Sequence, residues 1–214
     1  MTAQEHLPDQ EAWSPWTPTD LFQRLEHVER PWCIVGGWAL DVWQGQQTRV
    51  HEDLEFTILR EDFSAFREAL GPLDFYAVKD GRFELLASNR EPDCDIFQVW
   101  CFDTEAQAWR VDMMIEPGTP DRWVYKRDTS ITGGRSEMVC TSDAGIPYLR
   151  PAAILLFKAK HLRAKDQADF NLTLPRLSPG ERQWLMEHLT LVHPGHEWLA
   201  QICCWNRSLQ PLMC

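Results

Sequence analysis

No stretch of the sequence reaches 18 consecutive apolar residues, so it offers no candidate membrane-spanning helix. The first residues are polar, without a basic start followed by an apolar run, and the expectation is a protein that is neither exported nor membrane-bound. Basic charge is scarce: 21 Lys and Arg stand against 32 Asp and Glu, a formal net charge of −11. Proteins that grip several nucleic-acid phosphates normally carry a basic stripe, so no nucleic-acid partner is expected. The seven cysteines form no CxxC pair with zinc spacing, Cys203 and Cys204 being adjacent and the others scattered. None has a histidine partner at a spacing that marks a nucleophile, and reduced cytosolic thiols are the simplest account, with Cys214 open to incidental oxidation. Neither GxGxxG nor GxxxxGK[ST] occurs, which leaves dinucleotide-binding and P-loop readings without a motif. Internal repeats and low-complexity segments are absent as well.

What the chain does have is a glycine pair followed by spaced acids. Gly36-Gly37 ends the apolar run Trp32-Cys33-Ile34-Val35 and precedes Trp38-Ala39-Leu40-Asp41-Val42-Trp43, whose spacing suits a short helix. Glycine lets a ligand approach the main chain closely, and the N–H groups at a helix start face a phosphate well. Downstream, Asp53-Leu54-Glu55-Phe56-Thr57-Ile58 alternates, so Asp53 and Glu55 share one strand face while Leu54, Phe56 and Ile58 turn to the core. Two carboxylates side by side repel and raise each other's pKa, which a fold tolerates in solvent or around a cation. Mg²⁺ takes one or two carboxylates and fills its other positions with water and substrate phosphate. Asp112 lies in a second alternating run, Trp109-Arg110-Val111-Asp112-Met113-Met114-Ile115, and a carboxylate within a largely apolar strand needs a partner. If the two strands are neighbours, three carboxylates converge; the bland alternative is an arginine partner for Asp112 and a wet sheet face for the other two.

The rest of the pattern predicts a mixed α/β chain. Residues 1–16 read as a loose arm. Thr17-Pro18-Thr19-Asp20 supplies a helix start, with a helix to about Glu29. Strands are expected over 32–35, 53–59, 73–78, 83–87, 96–102 and 110–116, with a sheet of about five strands. Asp80-Gly81 marks a hairpin, and 61–70 reads as a helix with Phe63, Phe66 and Leu70 on one face. From Pro147 the composition turns helical, with starts at Pro151 and at Ser178-Pro179-Gly180-Glu181 and a last helix to about Trp205. The expected organisation is an α/β (α+β) half, 1–145, with flanking helices, and a helical C-terminal half, 146–214.

Gly36-Gly37-Trp38-Ala39-Leu40-Asp41, Thr48-Arg49-Val50-His51-Glu52-Asp53-Leu54-Glu55 and Trp109-Arg110-Val111-Asp112 together resemble the nucleotidyltransferase superfamily with the polymerase-beta-like fold. More narrowly they are similar to the aminoglycoside 2''-adenylyltransferase-like group. The resemblance continues through Trp123–Asp128, Gly145–Leu149, Leu155–Lys160 and Lys165–Phe170, and so spans roughly residues 30 to 200. It implies Mg²⁺-dependent transfer of AMP from ATP to a hydroxyl of a small-molecule acceptor, such as an aminoglycoside-like antibiotic. Asp53 and Glu55 would then fall on the two metal-binding carboxylates, and Asp112 on a third that either joins the metal or acts as base. The net charge argues against the polymerase and tRNA-modifying relatives. Glu55 stands where the better-studied resistance enzymes carry aspartate, and its extra methylene would shift metal geometry by about an ångström. Protein hydroxyls as acceptors, and a nucleotide-binding protein with little chemistry, are the alternative readings; oligomeric state is left open.

Other constellations are weighed beside this core. Gly36 and Gly37 would seat the β- and γ-phosphates. Lys158, His161 and Lys165, at i, i+3 and i+7, read as one side of a helix, with Lys158 the favoured phosphate contact. Arg49 either reaches a phosphate or pairs with an acid. Asp166 and Asp169 read as helix caps or partners of Arg and Lys, and His51 as a structural hydrogen-bonding residue. His193 and His196 read as loop, and Trp38, Trp43, Trp100, Trp109 and Trp123 as mostly core, with one free to stack on adenine or floor an acceptor pocket.

Overall fold

The computed structural model describes residues 7–208. In chain order its elements are α1 (Pro18–Arg24), β1 (Trp32–Ile34), α2 (Gly36–Gln44), β2 (Glu55–Leu59), α3 (Phe63–Ala69), β3 (Asp74–Lys79), β4 (Arg82–Leu85), β5 (Gln98–Asp103) and β6 (Ala108–Glu116). Then follow β7 (Arg122–Val124), β8 (Thr132–Gly134), α4 (Arg135–Met138), β9 (Val139–Thr141), β10 (Pro147–Leu149), α5 (Pro151–Lys158), α6 (Ala164–Thr173), α7 (Pro179–Val192) and α8 (Glu197–Ser208). Among the described residues no helix is long and apolar enough to cross a membrane.

Local signals place several of these ends. Thr17 and Asp20 exchange side-chain and backbone hydrogen bonds in a capping box with Pro18 at the first position, and Ser178 with Glu181 does the same for α7. Asp80 and Gly81 both take positive φ, 50° and 72°, the geometry of a two-residue hairpin turn whose twist matches β3 and β4.

The sheet has eight strands, in the order β4-β3-β5-β6-β2-β1-β10-β9, rather than about five; β7 and β8 form a separate ribbon. The excess comes from three-residue strands such as β9 and β10, too short to show a period. β2 and β6 are parallel neighbours, with Glu55 opposite Asp112, and β5 puts Trp100 opposite Asp112 on its other side. One sheet face, with Phe56, Ile58, Val111, Met113 and Ile115, joins a large core with Phe63, Phe66, Leu155, Leu156 and Trp198. Each such side chain contributes roughly 1.5–3 kcal/mol on burial.

Other expectations need correction. α1 stops at Arg24, because Leu25 closes the helix with hydrogen bonds to Leu21 and Phe22. The strand expected from Asp53 starts at Glu55, so Asp53 sits on the approach to β2. Lys158, His161 and Lys165 do not share a helix: α5 ends at Lys158, Leu162 takes φ 45°, and α6 begins at Ala164. The chain doubles back there because the Lys158 ammonium is clasped by Asp166 at 3.3 Å and Asp169 at 2.8 Å, both on α6.

Nor are residues 9–16 a loose arm, and residues 1–6 lie outside the described residues. Trp13 bridges Trp109 in parallel; Ser14 and Trp16 donate backbone hydrogen bonds to Trp109 and Arg110, both at 3.1 Å, and Trp109 donates to Ala12 at 2.8 Å. The arm thus continues the line of β2 along β6, where β2 has not yet begun. A register shift between Cys101 and Phe102 accompanies the pairing of Phe102 with Trp109, and Tyr76, Phe102 and Trp109 form a second buried cluster against which Trp13 and Trp100 pack. The six described cysteines are free; Cys214 lies outside the described residues.

Candidate active site

Strand register brings the three acids together. One carboxylate oxygen from each of Asp53, Glu55 and Asp112 lies within 4.8 Å of the others. Among the described residues no ion pair reaches any of the three. Asp112 is 3% exposed; its Oδ2 accepts a hydrogen bond from Gln98 Nε2 at 2.6 Å, while its Oδ1 is buried with no partner in hydrogen-bonding geometry among the described residues. Burial and then the Glu55 charge push the Asp112 carboxyl well above the usual carboxylate range; burial and then Asp53 raise Glu55. An uncompensated buried carboxylate group is costly, and a hard divalent cation is the ligand whose chemistry these oxygens fit.

Glu55 stands directly over the glycine turn. Gly36 has φ 65°, and a Cβ there would run into the Glu55 carboxylate. The glycine therefore makes room for the longer acid, and the first turn of α2 has neither a side-chain cap nor an acid of its own. Gly37 lies against Arg49 and His51, where a Cβ would meet the imidazole at 2.6 Å. His51 Nε2 is held by Asp41 Oδ2 at 2.6 Å, Thr48 donates to the other Asp41 oxygen at 2.6 Å, and Trp38 lies over the imidazole at 4.4 Å. Burial lowers the His51 pKa against the pull of Asp41, so the ring is a neutral brace beneath the turn.

Two cavities meet at Glu55. One, of about 170 Å³, runs over Gly36, Glu55, Thr57, Met114 and Glu116 to Trp123, with Lys126, Arg127, Lys158, His161 and Arg163 on its walls. Lys158 is committed to Asp166 and Asp169, and Arg163 to Asp166, which leaves Lys126 and Arg127 as cations without an ion pair among the described residues. Surrounding protein desolvates the Lys126 ammonium and lowers its pKa, while Asp112 and Glu55 pull it up. Arg49 lines neither cavity; its Nε and Nη2 grip both oxygens of Asp169 at 3.1 Å. The second cavity, of about 680 Å³, holds Glu11, Glu52, Asp53, Glu55 and Asp112 with Trp13 and Trp100, and no Lys or Arg among its described lining.

Sequence reasoning located the three acids and the glycine turn, and did not single out Lys126, Arg127, Trp13 or Glu11. Lys126 and Arg127 follow β7, which belongs to a separate ribbon, and nothing in their local pattern says where it folds. Of the tryptophans, Trp109 and Trp123 are buried, Trp123 and Trp100 line the two cavities, and Trp38 braces His51. His193 and His196 lie between α7 and α8, with His196 bonded to the Ala159 carbonyl at 3.0 Å.

Comparison with known proteins bears on this geometry. The lincosamide antibiotic adenylyltransferase LnuA, solved with lincomycin bound, has a similar structure, with TM-score 0.51 and 17% identity over 74% of this chain and 96% of that one. The antibiotic-resistance factor ANT(2'')-Ia gives TM-score 0.48 at 16% identity over 89% and 91%. A nucleotidyltransferase-like protein from Paracoccidioides brasiliensis gives 0.46 at 15% over 92% and 93%. No curated protein matches the chain. At these identities the likeness to LnuA speaks for the fold alone. The family model for aminoglycoside-2''-adenylyltransferase, however, matches residues 19–170, which span the glycine turn, all three acids and both cavities' main walls. The chain is a nucleotidyltransferase and belongs to the aminoglycoside-2''-adenylyltransferase family.

Proposed function

We propose that the chain transfers AMP from ATP to a hydroxyl of a small, cationic acceptor, with ATP in the basic cavity and the acceptor in the acidic one. The observation that carries this reading is the placement of Glu55 and Asp112 where a cavity with two unpaired cations meets a cavity walled by acids. Lys126 and Arg127 contact the triphosphate as charges, and the uncapped first turn of α2 at Gly36 offers its N–H groups to phosphate oxygens. Thr57, Met114 and Trp123 extend the same cavity toward room for the base.

Asp53 and Glu55 would hold Mg²⁺, with Asp112 beside them. Bound there, the ion would polarise the α-phosphate and offset charge on the leaving pyrophosphate. The acceptor oxygen attacks the α-phosphorus, the bond from that phosphorus to the bridging oxygen breaks, and pyrophosphate leaves with the bond's electrons. The hydroxyl proton passes to Asp112, whose buried Oδ1 and raised proton affinity suit a base. Lys158 and Arg49 act behind the site, locking α6 against the glycine turn through Asp169. The free thiols fit a reducing compartment, and we assign the protein to the cytoplasm.

The test is Mg²⁺-dependent pyrophosphate release from ATP across aminoglycosides and small alcohols, with Asp53→Asn as control. Release that needs an acceptor and vanishes in the variant is expected; equal release from Asp53→Asn would sink the assignment.

A further inference from the structure

The stretch matched by the family begins at residue 19, yet the acidic cavity is walled in part by residues before it. The arm around Trp13 is built into the fold. Its backbone pairs with β6, and Asp9 accepts from the Trp109 indole at 2.7 Å. The Arg110 guanidinium holds the Ser14 carbonyl at 2.8 Å, and Arg24 lies over Trp16 at 3.9 Å. Trp109 precedes Asp112 by three residues on one strand, about 10 Å at strand rise, so the arm ends within a substrate's length of the reacting carboxylates. Trp13 meets Trp100 edge-on at 5.4 Å, and Trp100 is the cross-strand neighbour of Asp112. Both indoles are half-buried and line the cavity, and the exposed Glu11 adds an acid to the same wall.

We infer that this arm selects the acceptor: Trp13 packs against a ring face of the bound molecule and Glu11 takes one of its ammonium groups. The inference rests on the transfer reading for which cavity holds the acceptor. An acceptor of this kind carries an amine several ångströms from the hydroxyl that reacts, on a rigid ring scaffold. Neutral linear alcohols meet neither feature and bind weakly. Because the arm lies on the acceptor side of Glu55, it leaves ATP untouched.

Two readouts separate the arm from the chemistry. Binding of tobramycin, and of the less charged lincomycin, is followed by calorimetry without ATP, and pyrophosphate release with ATP, for wild type, Trp13→Leu, Trp13→Phe and Glu11→Gln. Thermal unfolding reports whether each variant folds. Trp13→Leu is expected to raise the Kd and KM for tobramycin about three- to tenfold, with Trp13→Phe restoring most of the loss. Glu11→Gln raises both for tobramycin more than for lincomycin, with the difference fading as salt is added. The KM for ATP stays within about twofold in all three, whereas a merely structural arm would move it with the rest. Acceptor constants equal to wild type in Trp13→Leu and Glu11→Gln, or wild type that binds neither probe, would overturn the inference. Binding that responds to the arm without any pyrophosphate release upholds the arm and overturns the transfer reading.

Discussion

Replacing Asp112 by Asn removes one negative charge from three carboxylates that no ion pair reaches among the described residues, while an amide of the same shape still accepts from Gln98. The acid oxygens lie within 4.8 Å of each other. Two unit charges at that distance repel by about 3 kcal/mol at an effective dielectric of about 20. Glu55 and Asp53 are half-buried, so solvent screening brings the usable figure down to about 1–2 kcal/mol. Asp112→Asn should therefore stabilise the metal-free protein, by about 2–8 °C in Tm at this chain length. The sign follows from linkage: the folded-state carboxyls of Asp112 and Glu55 are raised, so their repulsion is felt above those values. The gain is thus full only above those raised values and fades as wild type takes up protons below them. Mg²⁺ relieves the same repulsion, so its stabilisation of wild type should exceed that of the variant. On the proposed mechanism turnover falls by about 10³-fold or more, because the proton acceptor is gone. Differential scanning fluorimetry with and without Mg²⁺, alongside pyrophosphate release, reads all of this. A variant that is less stable than wild type without metal, yet still active, would refute the reasoning.

Gly36→Ala places a side chain at φ 65° and against the Glu55 carboxylate; we expect about 1–2 kcal/mol lost in urea unfolding but about 10²-fold or more in turnover, because Glu55 is displaced. Lys126→Ala should raise the KM for ATP roughly tenfold with little change in Tm, since no ion pair among the described residues is lost; an unchanged KM would place the triphosphate elsewhere. Lys158→Met leaves Asp166 and Asp169 short of a cation at 0% and 4% exposure and should cost about 3–5 kcal/mol. Burial raises those two carboxyls, but Arg163, Arg49 and Lys158 outweigh it and hold both below the usual range. Their contribution is therefore present above about pH 4 and lost as pH falls through the depressed values; acid titration of stability in wild type and Arg49→Gln should show the variant unfolding at higher pH.

Much of this site was legible because its signals are local. Two residues of spacing put Asp53 and Glu55 on one face, Thr17 and Ser178 announced helix starts, and Asp80-Gly81 announced a hairpin. The convergence of Asp112 with Glu55 depended on one further condition, parallel pairing of two strands far apart in sequence, which the family resemblance supplied and periodicity did not. What stayed hidden is decided by partners distant in the chain. Lys158 looked like a phosphate ligand on a long helix face, but two aspartates eight and eleven residues on turn the chain back upon it. Residues 9–16 looked unstructured because their order comes from Trp109 and Arg110, about a hundred residues away. Lys126 and Arg127 owe their place to β7, a strand of three residues with no period to read.

The chain's net charge of −11 and the tetra-anionic co-substrate we propose for it are reconciled by where the charge lies. The buried Lys158 and the half-buried Arg49 are already matched by aspartates and so contribute rigidity rather than field. Lys126 and Arg127, without an ion pair among the described residues, line the cavity on one side of Glu55, and Glu11, Asp53 and Asp112 line the other. On the proposed reading, a triphosphate and a cationic acceptor would each be drawn to the side that suits it and repelled from the other, and would meet at the carboxylates. Glu55 is the one acid common to both cavities, and a residue one methylene longer than aspartate reaches that shared position because Gly36 has no Cβ to block it. The glycine turn and the glutamate are therefore best understood as one device. Shortening Glu55 to Asp withdraws its carboxylate from the Gly36 turn, and restoring function from that variant would require moving the turn as well.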